Sequence, residues 1–328
     1  MILKKIFSIS LFFSFNFIFS DPLLDCYREN CSNDLENKAE QLLQSKKYWR
    51  DRLAQYDTDF GYYENLRYLL VVDKDQPWLD LYEIKSGHSV EIIKTIDVIV
   101  GKNSGQKLYK GDLKTPTGVY KLTERLNNLD QFYGPTAIVI AYPNALDKVL
   151  KRTGSGIWIH GFPLREDRNL ITENTKGCVA MENDRVLDLA NILSNLNQTL
   201  IILTDGRLTR VNKDDLAGIL SGLYSWLASW RESEYKKNIS FYSRKFKTIE
   251  GNDISWLRDL KQRIFKESKE LKLYFNKINI APYPNSENRK LFYISGLLQY
   301  SDGKKSFKGY KELYVELNNG LFEILIEK

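Results

Sequence analysis

From Asn33 to about Gln55 apolar residues recur at three- and four-residue steps, at Leu35, Ala39, Leu42, Leu43 and Trp49, among Lys, Glu and Gln. That spacing predicts a helix with one apolar stripe. Such a helix is too short to be a domain, so its stripe has to pack on a neighbouring element or on a second copy of the chain. Beyond Arg67 the rhythm changes. The runs "RYLLVVD", "WLDLYEI" and "VEIIKTIDVIVG" are rich in β-branched and aromatic residues and read as strands, as do "GVYKLTE", "AIVIAYP", "GIWIHG" and "TLIILTD" further on. Between the last two lies a helix, roughly Asp184 to Leu196, with Asn183 or Asp184 as its cap and Val186, Leu187, Leu189, Ala190 and Leu193 as its apolar positions.

The polar stretch "DGRLTRVNKDD", residues 205 to 215, marks a boundary. After it an amphipathic helix is expected from about Lys213 to Glu234, with Leu216, Ile219, Leu220, Leu223, Trp226, Leu227 and Trp230 on one stripe. "ISFYS" follows, then a helix near Ile254 to Lys266 and four strand-like runs that end at Lys328. Helices followed by a terminal antiparallel meander make an α+β unit. The pattern divides the chain into a leader (1–20), a helical segment (21–65), a mostly β block (66–206) and an α+β unit (207–328).

The leader changes the picture of where the protein works. Lys4 and Lys5 precede a nearly unbroken apolar run from Ile6 to Phe19. That run is short for a membrane span, which needs about 20 residues, but suits the core of a secretory signal peptide with cleavage after Ser20. Retention as an N-terminal anchor is the alternative, and both place the folded part outside the cytoplasm. "LLDC" before Cys26 is a poor lipobox, because Asp25 stands where a small residue is expected. The chain carries a net charge of +6, and its apolar fraction of 43% is ample for real cores. Such a mild basic bias does not argue for nucleic acid as a partner.

Cys26 and Cys31 lie close together near the mature N-terminus, where an oxidising compartment could join them, and Cys178 is left over. An unpaired cysteine is ordinarily a small buried hydrophobe. The two histidines of the chain bear on the alternative. His88 lies in the polar turn "KSGHSVE". His160 closes the apolar strand "GIWIHG", where a scaffold can present a side chain to a cleft. Fourteen residues separate His160 from Thr175-Lys176-Gly177-Cys178. A thiol needs a neighbouring base to become a good nucleophile at neutral pH, and His160 is the imidazole available. Gly177 lets the chain turn tightly before the thiol, where backbone N–H groups could hold an oxyanion.

This stretch resembles the catalytic domain of the L,D-transpeptidase (YkuD) family. The family signature is a histidine, fourteen to seventeen residues, Ser or Thr, then His-Gly-Cys. "GDLKTPTGVYKL", residues 111 to 122, looks like the family's Lys-Thr-Pro-x-Gly segment, so the resemblance covers about 66 to 206. It implies an L,D-transpeptidase-like β-sandwich, with Cys178 as nucleophile and His160 as general base. Gly161 would orient the imidazole through its carbonyl, and Gly177 and Cys178 would supply oxyanion-hole amides. The implied substrate is the peptidoglycan stem peptide, cut between its third residue and a terminal D-alanine, with the thioester passed to water or to an amine. No metal or organic cofactor is implied.

Two departures stand out: Lys176 replaces the family's second histidine, and Ala180 an arginine often found there. Lys176 is expected to lower the thiol pKa or to hold a substrate carboxylate. Tyr142 and Trp158, with Arg165 and Arg168 in "FPLREDRN", are the other candidate cleft residues. The variant "TKGCVAMEN", the N-terminal helix and the added C-terminal unit are similar to the cell-shape L,D-carboxypeptidases of helical epsilonproteobacteria. That similarity implies an NTF2-like domain over 207–328 with an unidentified ligand, and a homodimer formed through the N-terminal segment. The leading expectation is a periplasmic carboxypeptidase that trims tetrapeptide stems to tripeptides. A transpeptidase making 3–3 cross-links or attaching protein to the wall, and a non-catalytic wall-binding scaffold, are the alternatives.

Overall fold

The computed structural model describes residues 32–85, 89–164, 173–206, 208–267, 271–302 and 306–328. The expected leader, Cys26, Cys31, His88, Arg165 and Arg168 lie outside the described residues. Two compact units are distinguished, one up to Leu42 and one from Leu43 to Lys328. Among the described residues no helix is long and apolar enough to cross a membrane.

The expected N-terminal helix is two helices, α1 (Ser32–Gln44) and α2 (Lys46–Leu53). Ser45 breaks them because its backbone is extended and its side chain accepts the Tyr48 amide as an N-cap. α2 packs within the chain. Its Trp49 ring stacks on Tyr224 with centroids 5.6 Å apart, and its indole N–H donates to the Leu43 carbonyl at 2.7 Å. Tyr224 sits on α5 (Lys213–Arg231), the long helix of the C-terminal part, which ends at Arg231 rather than at Glu234. A two-residue strand, β1 (Tyr62–Tyr63), then pairs antiparallel with β10 (Lys272–Pro282).

The middle of the chain builds an eight-stranded sheet. Its strands are β2 (Tyr68–Asp73), β3 (Trp78–Ile84), β4 (Val90–Asp97), β5 (Gly118–Leu126), β6 (Ala137–Ile140), β7 (Trp158–Gly161), β8 (Val179–Met181) and β9 (Thr199–Thr204), in the order β4-β3-β2-β9-β5-β6-β7-β8. β5 belongs to two ladders, pairing β9 through its first half and β6 through its second, with a register shift after Leu122. One core fills the inside of this curled sheet: Leu70, Val72, Leu79, Tyr120, Leu122, Ile138, Ile159 and Ile201 meet Val186 and Leu189 of the helix α4 (Asn183–Ile192). The expected cap of that helix, Asn183 or Asp184, is displaced by one residue. Glu182 is the N-cap and makes no side-chain capping bond.

The C-terminal part has its own sheet, β1 with β10, β11 (Leu291–Ser301), β12 (Ser306–Asn318) and β13 (Leu321–Glu327), wrapped around α5, α6 (Tyr235–Ser240) and α7 (Ile254–Glu267). Trp226, Leu220, Phe246, Ile278 and Ile294 are central to its core. A third cluster joins the two parts, with Val71, Val119 and Ile202 against Ala281, Tyr293, Tyr314 and Ile326. Across this seam Asn144, the N-cap of the short helix α3 (Ala145–Val149), donates to the Tyr283 hydroxyl at 2.9 Å, and Lys121 pairs with Glu312.

Candidate active site

β7 and β8 run parallel, with Ile159 opposite Val179 and His160 opposite Ala180. Side chains alternate between the faces of a strand. Ile159 points into the core, so Trp158 and His160 project from the other face. Cys178, two residues before Ala180, projects there too. The register therefore places the thiol diagonally beside the imidazole on adjacent strands.

His160 is 5% exposed, and its Nδ1 lies 2.7 Å from the Gly161 carbonyl. A carbonyl only accepts, so Nδ1 carries the proton and Nε2 keeps its lone pair. Burial pushes the imidazole pKa below its ordinary value, against the opposing effect of the Gly161 carbonyl. His160 is therefore neutral and basic at neutral pH. Gly161 has to be glycine at this point. A β-carbon there would lie 2.2 Å from Asn183 Oδ1, a buried oxygen with no hydrogen-bond partner among the described residues.

The cysteine loop is tied down from three sides. Thr175 donates its amide to Val100 O at 2.8 Å and its hydroxyl to Cys178 O at 2.8 Å. Thr115, in the Thr-Pro-Thr-Gly turn, accepts the Gly101 amide at 2.8 Å and reaches Cys178 O at 3.5 Å. Gly177 has φ +132°, and a β-carbon on it would meet Lys114 O at 2.7 Å. The turn quoted as a second motif thus builds the wall behind the thiol. The Gly177 amide, expected to help hold an oxyanion, donates here to Thr175 Oγ1 at 3.0 Å.

Cys178 is half-buried, and its Sγ lies 3.5 Å from the Gly156 carbonyl. Burial raises the thiol pKa, while the Trp158 amide and the positive charge of Lys107 pull it down. The resting pair is thus neutral thiol and neutral imidazole. Lys176, expected to lower the thiol pKa or to hold a substrate carboxylate, is exposed two residues before the thiol. Lys107 acts on the thiol from within the fold. It is 3% exposed, bonded to Asp112 Oδ1 at 2.6 Å, and packed against the backbone of Gly154 in the loop that carries Gly156. Sequence reading missed Lys107 because it lies seventy-one residues before the thiol in no recognised motif.

Trp158 is half-buried and meets Tyr133 edge-on at 4.9 Å, and Tyr133 in turn meets His160 at 5.2 Å. Tyr133 is a second residue that sequence reading missed, being held in a short 3₁₀ turn with no periodicity. Tyr142 is buried and donates to Thr153 O at 3.2 Å, next to the Gly154–Gly156 loop. Among the described residues no group of His, Cys, Asp and Glu could hold a metal ion.

The L,D-transpeptidase catalytic domain (YkuD) family matches residues 67–211, and the Cds6 C-terminal NTF2-like domain family matches 218–328. No curated protein matches the chain. The solved structure of the helical cell shape determining protein Pgp2 from Campylobacter jejuni is 32% identical, with a TM-score of 0.80 over 87% of this chain and 99% of that one. A single-residue mutant of Pgp2 gives 31% identity and a TM-score of 0.81 over 88% and 99%. Bd1075 from Bdellovibrio bacteriovorus is 28% identical, with a TM-score of 0.64 over 80% and 92%. Identity at this level over nearly the full length of Pgp2 settles the relationship: the chain belongs to the Pgp2 family of L,D-transpeptidase-type enzymes, a YkuD catalytic domain followed by an NTF2-like domain.

Proposed function

We propose that the protein is a periplasmic cysteine L,D-carboxypeptidase that removes the terminal D-alanine from peptidoglycan tetrapeptide stems and so contributes to cell shape. The observation that carries this reading is the placement of Cys178 and His160 on one face of two adjacent strands, with Nδ1 of His160 fixed by Gly161. Nε2 takes the thiol proton as Sγ attacks the carbonyl between the third stem residue and D-alanine. The Cys178 amide is the candidate to hold the oxyanion, and that of Gly177 joins it on leaving Thr175 Oγ1. Collapse breaks the C–N bond, and His160 returns its proton to the leaving amine. Water, deprotonated by the same Nε2, then attacks the thioester, releasing the tripeptide carboxylate and restoring the thiol. The exported location follows from the leader and from the wall substrate. The homodimer expected through the N-terminal segment, residues 21 to 65, belongs to the same reading.

Purified protein incubated with a defined disaccharide-tetrapeptide and followed by mass spectrometry tests this directly. Tripeptide plus free D-alanine is expected. Cross-linked dimers would instead make the protein a transpeptidase, and unchanged substrate would reduce it to a wall-binding scaffold.

A further inference from the structure

A cleft of about 500 Å³ opens at the seam between the catalytic and C-terminal parts, away from the thiol. Amides and hydroxyls of Asn65, Thr123, Asn197, Gln198 and Tyr310 share its lining with the ammonium of Lys277 and with apolar surface. Among the described residues no acidic side chain lines it. Leu66, Leu122 and Leu200 lie buried behind the polar groups, and the partly buried Leu196 adds an apolar strip of the kind that the non-polar face of a sugar ring covers. Side-chain amides both donate and accept, which matches the acetamido and hydroxyl groups of an N-acetylated sugar. Tyr310 is 57% exposed, leaving an aromatic face on which a sugar ring can lie.

Geometry relates the cleft to the thiol. On β5, Tyr120 and Leu122 point into the inner core, so Lys121, which also lines the cleft, projects from the opposite face. Trp158 and His160 of β7 project from that same face, two strands away in the sheet. Two strand spacings, about 10 Å, reach β7, and a third, about 5 Å more, reaches β8 beside Cys178. Three extended residues, the length of stem between a sugar and the scissile bond, span about 10 Å, which carries the stem from the cleft to the strand of His160, beside which Cys178 stands.

We propose that this cleft is a saccharide subsite that holds the amino-sugar strand whose stem peptide reaches Cys178. The assignment of the stem to Cys178 rests on the proposed function, whereas the sugar-binding property of the cleft does not. The test is titration calorimetry with a peptide-free N-acetylglucosamine tetrasaccharide on the full chain, on Tyr310→Ala and on Asn197→Ala/Gln198→Ala. Thermal melting serves as the folding control for these variants. The wild type is expected to bind and each variant to bind at least tenfold more weakly. On a disaccharide-linked tetrapeptide the variants should show a KM raised at least fivefold at unchanged kcat, with a sugar-free tetrapeptide handled as by the wild type. Absence of saccharide binding in the wild type, or binding indifferent to both variants, overturns the proposal. A wild type that binds the saccharide but processes neither peptide upholds the sugar subsite and defeats the carboxypeptidase reading.

Discussion

At the scale of single residues, the site depends on which charge reaches the thiol. Burial raises the Cys178 pKa and lowers that of His160, so both changes favour the neutral pair over a thiolate–imidazolium pair. Because the thiol loses its proton only above its raised pKa, alkylation of the resting enzyme by iodoacetamide should be slow at pH 7. It should climb with pH through a midpoint above that of an ordinary thiol. A rate already level below pH 7 would mean an ion pair and contradict this. Lys107 holds the midpoint down, so Lys107→Met should raise it further and slow alkylation several-fold at neutral pH. Losing one member of a buried pair costs about 3–5 kcal/mol, so the measurement is best made in Lys107→Met/Asp112→Asn, which removes both charges. Cys178 and His160 could be paired from the sequence because their spacing and the glycine before the thiol are local marks. Lys107, Tyr133 and Asn183 could not, since each reaches the site only through the tertiary fold.

At the scale of elements, strands were legible wherever apolar and β-branched residues ran for six or more positions, as in Tyr68–Asp73 and Trp78–Ile84. β8 was not, because three residues carry no rhythm, yet its parallel pairing with β7 is what aligns thiol and imidazole. The break at Ser45 escaped for another reason. The apolar stripe continues through it, and only a hydroxyl cap divides the helix. α2 is then fastened to the C-terminal part by Trp49, which is 3% exposed. Trp49→Ala should cost about 3–5 kcal/mol in denaturant unfolding. A loss below about 1 kcal/mol, the range of surface substitutions and small packing changes, would show that this segment is dispensable to the fold.

For the whole molecule, the catalytic sheet lies in sequence between two pieces of one C-terminal structure, α2 and β1 on one side and α5 onward on the other. A shared core ties the parts together. Scanning calorimetry should therefore give one cooperative transition for the chain. Two well-separated transitions would mean that the seam contributes little, and would also weaken the case for a ligand cleft built on it. That α+β unit was readable as helices followed by a meander, but its union with residues ahead of the catalytic domain was not, because β1 has only two residues. The central claim is that this scaffold presents one thiol and one imidazole for acyl transfer on wall peptides. It is tested most directly by the rate of D-alanine release from a tetrapeptide muropeptide in the wild type, Cys178→Ala and His160→Ala. The account predicts turnover in the wild type and a loss of at least about a thousandfold in each variant. Turnover by Cys178→Ala within tenfold of the wild type would contradict it.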